Sequence, residues 1–494
     1  MKPRLHIHHF DPQASLHTWF ACLQHQPWAI LLESAGPLGA DNGFDIISAD
    51  PLATLETRGT STCLTQDNHQ HHHDGDPLAL LAKTQQALLG ERVEDDSGLP
   101  FIGGALGLFG YDLGRRFERL PAVAQQDIQV PDMAVGIYDW ALLRNVATGH
   151  WQLAHWGDEA GLARRLDWLM AQRERTTLPL RLTGPWQSNM TRAEYGDKFA
   201  RIQAYLAAGD CYQINLTQRF SAPYQGDEWS AYLALSAANK APFSAFVRLP
   251  HSAILSLSPE RFLLLDKRHI ETKPIKGTRP RLADPALDQA SALELAGADK
   301  DRSENLMIVD LLRNDLGRLA EPGSVKVDRL FDIEDYPTVW QMVSEVSAQI
   351  GRQGFEPVLR ALFPCGSITG APKIRAMQII GALEGAPRRL YTGALGWLAP
   401  DGDFRLNVAI RTLELATGYR GKMGVGSGIV ADSLSDAEWQ ECQLKAAFIR
   451  AGDPGLKLIE TLRRENGVYP MWLGHLARLR RSAAWFGFPL DEQQ

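Results

Sequence analysis

The segment "ETKPIKGTRPR", Glu271 to Arg281, sets a lysine between two residues that restrict the backbone. Pro274 fixes its own φ, and Gly277 can take dihedrals closed to other residues. Lys276 is therefore held on a short constrained piece of chain, and the pattern predicts a turn. In water such a lysine is a solvated cation. In a closed site desolvation lowers its pKa and leaves a neutral amine able to attack carbon. Which of these holds depends on what else the chain brings to the same place.

Carboxylates recur at helical spacing. Asp301 and Glu304 lie three apart, with Lys300 four before Glu304, and Glu438, Glu441 and Lys445 are spaced three and four apart. Residues so spaced share one helix face. Two helices that each offer a carboxylate to one cavity suit Mg²⁺, a hard cation satisfied by one or two carboxylates plus substrate oxygens and water. A solvated Glu/Lys face fits the same spacing. "SDAE" also spells a capping box, with Ser435 as N-cap and Glu438 three residues on, so Glu441 is the better ligand candidate. "GSITGAPKIRAMQII" (366–380) reads as a loop entering a helix whose first N–H groups favour an anion. It lacks the lysine directly after the second glycine that a Walker loop needs, so a nucleotide is not indicated. "GVGSGIV" (424–430) places glycines in a strand, where they mark close approach of a ligand or another backbone. Arg411, among the apolar residues of "VAIRTLEL", is costly unless it meets a carboxylate. Together these residues describe a site for a small dianionic substrate with Mg²⁺.

The elements that must position them are of mixed type. The 494 residues are 45% hydrophobic and 22% charged, enough for two to four domains or one large one. A net charge of −7 gives no electrostatic reason to expect nucleic acid or an anionic membrane. No apolar run approaches about 18 residues, and the N-terminus lacks the apolar core of a signal peptide. Five scattered cysteines without a CxxC fit a reducing cytoplasm. Strands are expected at "PWAILLES" and "FIGGALGLFGYDL", helices near 77–89 and 159–173, and a flexible polar insert at 67–76. Residues 176–190 read as a linker between 1–175 and 191–453. After it, Thr191 and Glu194 form a capping box. "CYQINLTQRF" then alternates as a strand with Tyr212, Ile214 and Leu216 on one face, and a long helix covers 299–320 with Leu306, Val309, Leu312 and Leu316 near helical spacing. Strands and helices without βαβ regularity make this an α+β protein.

In this order "SPERF" (258–262), "PIKGT" (274–278), "KDRSENLMIVDLLRND" (300–315), "GSITGAPK" (366–373), "IRT" (410–412) and "GIVADS" (428–433) resemble the chorismate-utilising enzymes. The likeness extends through "LLES" (31–34) and "GGALGLFGYDLGRRFE" (103–118). It implies two large, mostly antiparallel sheets packed as a sandwich with helices outside. Lys276 stands where the related anthranilate synthases carry alanine, which points to the branch that aminates chorismate at C4, a transaminase-type step on the way to 4-aminobenzoate and folate. In that branch the lysine is implicated as a nucleophile at C2 that expels the C4 hydroxyl, with ammonia then entering at C4. The resemblance implies Glu260 as general acid and Glu304 and Glu441 as Mg²⁺ ligands, with Asp301 and Glu438 behind them. Arg411, Tyr391, Ser367, Thr369, the backbone of Gly426 and Gly428, and Lys445 would hold the substrate. Gln213 occupies the place of the lysine base in relatives that add water, which argues against isochorismate or salicylate synthesis. Gln341 replaces a histidine found in many relatives, and it cannot titrate.

Such components take ammonia from a glutamine amidotransferase. The chain has no Gly-x-Cys-x-Gly nucleophile motif, so a partner subunit is implied. Leu32, Glu33 and Ser34 resemble a tryptophan-binding element. Residues 454–494 resemble the opening of aminodeoxychorismate lyase, with a strand at "KLIETL", a turn at "ENG", a helix through "LGHLARLRRSAAWFG", and exposed Trp472, Trp485 and Phe488. Lyase activity is not expected from so short a piece.

Overall fold

The computed structural model describes residues 3–10, 15–35, 43–90, 97–118, 120, 130–176, 178–336, 339–416, 418, 420–446, 449, 460–465 and 467–486. Two antiparallel sheets dominate. One has thirteen strands and runs from Arg4–Phe10 through Ile30–Glu33, Phe243–Leu249, Ser252–Ser258, Thr412–Ala416 and Arg420–Ile429 to Gln213–Gln225. The other has twelve and runs from Ile275–Pro280 through Val339–Gln349, His269–Lys273, Arg261–Asp266, Phe404–Val408, Ala394–Leu398 and Gly104–Phe109 to His69–His73. Their facing sides interdigitate in one apolar core, with Ile30, Val247 and Ile254 from the first sheet and Leu106, Leu263, Val346 and Leu406 from the second. Burial of such side chains is worth about 1.5–3 kcal/mol each, so this layer holds the sandwich together. A second core lies on the outer face of the thirteen-stranded sheet. There Trp140 and Trp151 of the sheet share a cluster with Phe20 of helix Leu16–Ala21 and with Trp229 and Tyr232 of helix Glu228–Asn239.

Both halves of the chain build both sheets. Ile30–Glu33 pairs with Phe243–Leu249 in one, and Gly104–Phe109 pairs with Ala394–Leu398 in the other. The expected linker, 176–190, adds Arg181–Leu182 and Gln187–Ser188, two short strands hydrogen-bonded to Gln213–Gln225.

Local signals explain most elements. The Thr191/Glu194 capping box is formed and starts helix Arg192–Ala207. Asp76 N-caps Pro77–Leu89, and Asp158 N-caps Glu159–Ala171. Several expectations need correction. The histidine-rich insert is ordered as strand His69–His73, an edge whose five side chains face water, joined to Ser61–Gln66 through Asp67 and Asn68 at positive φ. Short polar side chains tolerate that conformation and so make the hairpin turn. Tyr212 is 67% exposed and precedes the strand, whereas Ile214 and Leu216 are buried. Leu306 is exposed too, and Ile308 takes its place in the buried stripe of Asp299–Gly317.

The tail differs in part from expectation. Of "KLIETL", residues 457–459 lie outside the described residues and 460–462 form no strand. The turn is present, closed by a Glu465–Val468 bridge, and helix Trp472–Phe486 follows. Trp472 is 47% exposed, whereas the Trp485 side chain and Phe488 lie outside the described residues. Among the described residues no helix is long and apolar enough to cross a membrane, and all five cysteines are free thiols.

Candidate active site

Two of the places where the chain passes from one sheet to the other are adjacent, and both carry chemistry. Ser252–Ser258 belongs to the thirteen-stranded sheet and Arg261–Asp266 to the twelve-stranded one, so Glu260 lies at the crossing. Phe404–Val408 and Thr412–Ala416 make the reverse passage, with Arg411 between them at φ +49°. The two crossings are bonded to each other. Val408 N–H donates to Glu260 O at 3.0 Å, Leu257 N–H to Arg411 O at 3.0 Å, and Ser258 Oγ to Val408 O at 2.6 Å. These bonds set the backbone of Glu260 and of Arg411 at adjoining crossings, although Ser258 and Val408 are 150 positions apart in the chain.

Glu260 is buried and accepts one side-chain hydrogen bond, from Ser367 Oγ at 2.8 Å. Burial pushes its carboxyl up to about 7, and the Ser367 bond, Lys276 and Lys445 oppose the rise without cancelling it. Lys276 lies in strand Ile275–Pro280 at the edge of the twelve-stranded sheet, so the expected turn is instead a bulged strand. Desolvation lowers its amine below the ordinary lysine value. Glu304 opposes this, Lys445 adds to it, and Glu260 and Glu441 oppose it again. Those same charges tie the lysine to both acidic helices. Glu304, on Asp299–Gly317, is raised by burial, opposed by Lys276 and Lys300, and raised further by Asp301 and Glu438.

The acidic faces are used unequally. Glu441 pairs with Lys445 at 2.6 Å, both about half exposed, and Lys445 Nζ also donates to Gly426 O at 3.2 Å. Glu438 is buried; Ser433 Oγ donates to its Oε1 at 2.7 Å, and its Oε2 has no partner. The expected capping box is therefore not formed, because Ser435 is already the first helical residue and its hydroxyl accepts from Arg192. Asp301 accepts from Arg279 at 3.1 Å. Among the described residues no three His, Cys, Asp or Glu side chains group closely enough to hold a metal by themselves. The donor set still fits Mg²⁺: carboxylates from two helices, one bearing a buried oxygen without a partner.

The glycine strand does what its composition suggests. Arg420–Ile429 pairs with Gln213–Gln225 so that Gly428 faces Asn215 and Gly426 faces Thr217. A Cβ on Gly424 would run into the Tyr391 ring, and one on Gly426 would stand 2.8 Å from Asn215 Oδ1. Tyr391 is buried, and burial raises its phenol, with Arg388 opposing. The Gln213 side chain is 3.2 Å from where a Gly428 Cβ would be, and neither its Nε2 nor its Oε1 has a partner. Gln341, buried opposite Thr278, likewise leaves Oε1 without one. Arg411 is lowered by desolvation with no charged neighbour to offset it. Buried polar groups are almost always bonded, so this concentration of orphans marks where a polar ligand belongs.

Thr369 is not brought into that group; it is fully buried and spends its hydroxyl on the carbonyls of Cys365 and Gly366. The lysine of "GSITGAPK", Lys373, is buried against Asp315 at 2.8 Å and Leu362 O at 2.9 Å, a structural pair. Sequence reasoning missed the Ser367–Glu260 bond and the part of Asn215, since no spacing signal links residues so far apart.

Leu32, Glu33 and Ser34 line a separate cavity of about 120 Å³, shared with Phe44, Phe243 and Trp397. The Glu33 carboxylate is occupied elsewhere. It accepts from Tyr232 at 2.6 Å, Ser236 at 3.0 Å and His17 at 3.0 Å. Ser34 donates its N–H to Asp45 and its hydroxyl to Phe44 O.

The chain belongs to the chorismate binding enzyme family, whose pattern matches residues 30–451. It is 51% identical over 431 residues to aminodeoxychorismate synthase component 1 of Salmonella typhimurium, covering 87% of this chain and 94% of that one. It is also 51% identical over 428 residues to the protein of that name from Escherichia coli K12, covering 86% and 92%. Among solved structures, anthranilate synthase component I of Streptococcus pneumoniae superposes with a TM-score of 0.72 at 28% identity, covering 84% of this chain and 93% of that one.

Proposed function

We propose that this chain acts as component I of an aminodeoxychorismate synthase, exchanging the C4 hydroxyl of chorismate for the amino group of ammonia in the route to 4-aminobenzoate and folate. The exchange places it with the amino-transferring enzymes. The observation that carries the reading is the burial together of a carboxyl pushed up to about 7, Glu260, and a lysine amine that desolvation lowers from its ordinary value, Lys276. One group can give a proton at neutral pH while the other offers a lone pair.

In the first half the Lys276 amine bonds to C2, the ring double bonds shift, and the C4–O bond breaks. Glu260 protonates the departing oxygen, which leaves as water. In the second half ammonia bonds to C4, the double bonds shift back, and the C2–N bond to Lys276 breaks. The proton shed by the ammonium returns to Glu260. Arg411, Tyr391, Ser367, Lys445 and the Gly426–Gly428 backbone would hold the carboxylates and the ring. Glu304 and Glu441 would hold Mg²⁺, with Asp301 and the free oxygen of Glu438 behind them. Bound Mg²⁺ would supply charge that neutralises and orients a substrate carboxylate. Gln213 can hydrogen-bond but cannot deprotonate water, which disfavours hydration of the ring.

Ammonia would come from a glutamine amidotransferase subunit, and the cavity beside Leu32 and Ser34 would take tryptophan. The free thiols suit a reducing cytoplasm. Product analysis with chorismate, Mg²⁺ and excess ammonium tests the reading. 4-Amino-4-deoxychorismate from the wild type, lost in Lys276→Ala, supports it. Anthranilate from the wild type would move the chain to the rival synthase.

A further inference from the structure

Lys276 has nothing of its own to hold it in place. Among the described residues its amine makes no hydrogen bond or ion pair, and the ladder does not fix it either. Pairing of Ile275–Pro280 with Val339–Gln349 runs from Ile275 opposite Val343 to Thr278 opposite Gln341, so Lys276 and Gly277 together stand against Met342 alone. That extra residue is a β-bulge, a device that re-aims a side chain beside a functional site. Gly277 sits at φ +86°, and a Cβ there would lie 2.8 Å from Leu295 Cδ1 and 3.0 Å from Asp301 Cβ. The bulge is thus pressed against the two helices that cover the open side of this edge strand, Pro285–Ala296 and Asp299–Gly317.

One guanidinium joins strand and helices. Arg279 Nε donates to Glu294 Oε1 at 3.0 Å on the first helix, and Nη2 donates to Asp301 Oδ2 at 3.1 Å on the second. Nη1 donates to the carbonyl of Thr278 at 3.1 Å, which locks the arginine to its own strand. The spacing matters. Lys276 is three residues before Arg279, and Glu304 is three residues after Asp301, one turn along the same helix. A single bridge therefore sets the separation of the strand bearing the amine from the helix bearing the carboxylate. Neighbouring contacts brace it: Arg281 pairs with Asp288 and stacks 4.3 Å over Trp340, and Ser291 Oγ donates to Pro280 O at 3.0 Å.

We propose that Arg279 is a positioning residue for Lys276, its bridge to Glu294 and Asp301 fixing the bulge and so the aim of the amine at substrate. This rests on Lys276 being the nucleophile. The bridge acts on the reacting amine and, through Asp301, on the helix of Glu304, and not on Arg411, Tyr391 or Ser367, so its main effect falls on turnover and not on capture of chorismate. A misplacement of about 1 Å at a reacting atom costs up to about a hundredfold in rate.

The test compares Arg279→Met, Arg279→Lys, Glu294→Gln and Lys276→Ala with the wild type, in full chains supplied with chorismate, ammonium and Mg²⁺. Arg279→Met should lower kcat by about 10- to 100-fold, with the KM for chorismate unchanged within about twofold. Arg279→Lys, able to reach one acid at a time, should recover part of the loss. Glu294→Gln, on a side chain 70% exposed, should fold normally and lose a smaller factor, which keeps the test open if Arg279→Met does not fold. An unchanged kcat in both Arg279→Met and Glu294→Gln overturns the proposal. So does a loss that tracks KM for chorismate, or an Arg279→Lys rate no better than that of Arg279→Met. Full activity in Lys276→Ala would instead overturn Lys276 as the nucleophile, and the two failures are distinguishable.

Discussion

Two buried glutamates of this chain, Glu33 and Glu260, differ in how many donors reach them. Glu33 receives three side-chain hydrogen bonds, from Tyr232, Ser236 and His17, and these outweigh its burial and hold its carboxyl below the usual value. Glu260 receives one such bond, from Ser367, and burial carries it to about 7. The first is saturated and belongs to the architecture. The second is left short of partners, as are the site candidates Gln213, Gln341 and Glu438 Oε2. Polar atoms left unbonded at candidate site residues are available to a ligand.

Substitution can sharpen or break that contrast. The largest effect should come from Lys276→Ala, which removes the nucleophile; formation of 4-amino-4-deoxychorismate should fall by at least about a thousandfold, as read by product chromatography. Glu260→Gln should cost about 10²–10⁴ in rate. In the wild type, kcat/KM should decline as pH rises through about 7, where Glu260 loses its proton, and this limb should vanish from the residual activity of the variant.

The same group has the opposite consequence for stability. Its folded pKa lies above the unfolded one, so the native state binds the extra proton and stability falls as pH rises from about 4.5 to about 7. Glu260→Gln should therefore gain stability relative to wild type above pH 7, by on the order of 3 kcal/mol at most, measured by denaturant unfolding. Arg411→Met should raise the KM for chorismate by about 10- to 100-fold, the worth of one charge-assisted carboxylate contact, with a smaller change in kcat.

The mildest chemical outcome should come from Glu33→Gln, which costs about 1–3 kcal/mol of stability because Tyr232 and Ser236 lose an anionic acceptor. Glu33 has a lowered folded pKa. Its contribution is present above the unfolded value and fades as pH falls through the folded one, so the wild-type advantage should shrink in acid. A Glu33 variant that lost rate but no stability, or a Glu260 variant that lost stability but no rate, would break the comparison.

Much of the local structure could be read from spacing alone. Thr191 and Glu194 form their capping box, Asp76 and Asp158 start helices, and the glycines of "GVGSGIV" lie in a strand where another group comes close. The misreadings share a cause. Pro274 and Gly277 suggested a turn at Lys276, but a proline also suits an edge strand and a glycine also suits a bulge. The histidines of 69–73 looked like a loop because an exposed edge strand has no apolar face to show. Ser435 matched a capping box whose glutamate is drawn instead to Ser433.

By itself the sequence determined which groups are available: a lysine between Pro274 and Gly277, a glutamine at 213, and carboxylates at helical spacing on two helices. These follow from residue identity and short-range periodicity, which the chain carries wherever it folds. Only the tertiary structure decided that Glu260 and Arg411 lie at adjoining crossings between the sheets, and that Ser367 donates to Glu260. It also decided that Arg279 bridges the lysine strand to two helices. Such facts depend on burial and on contacts between residues distant in sequence, and burial sets the protonation on which the chemistry turns.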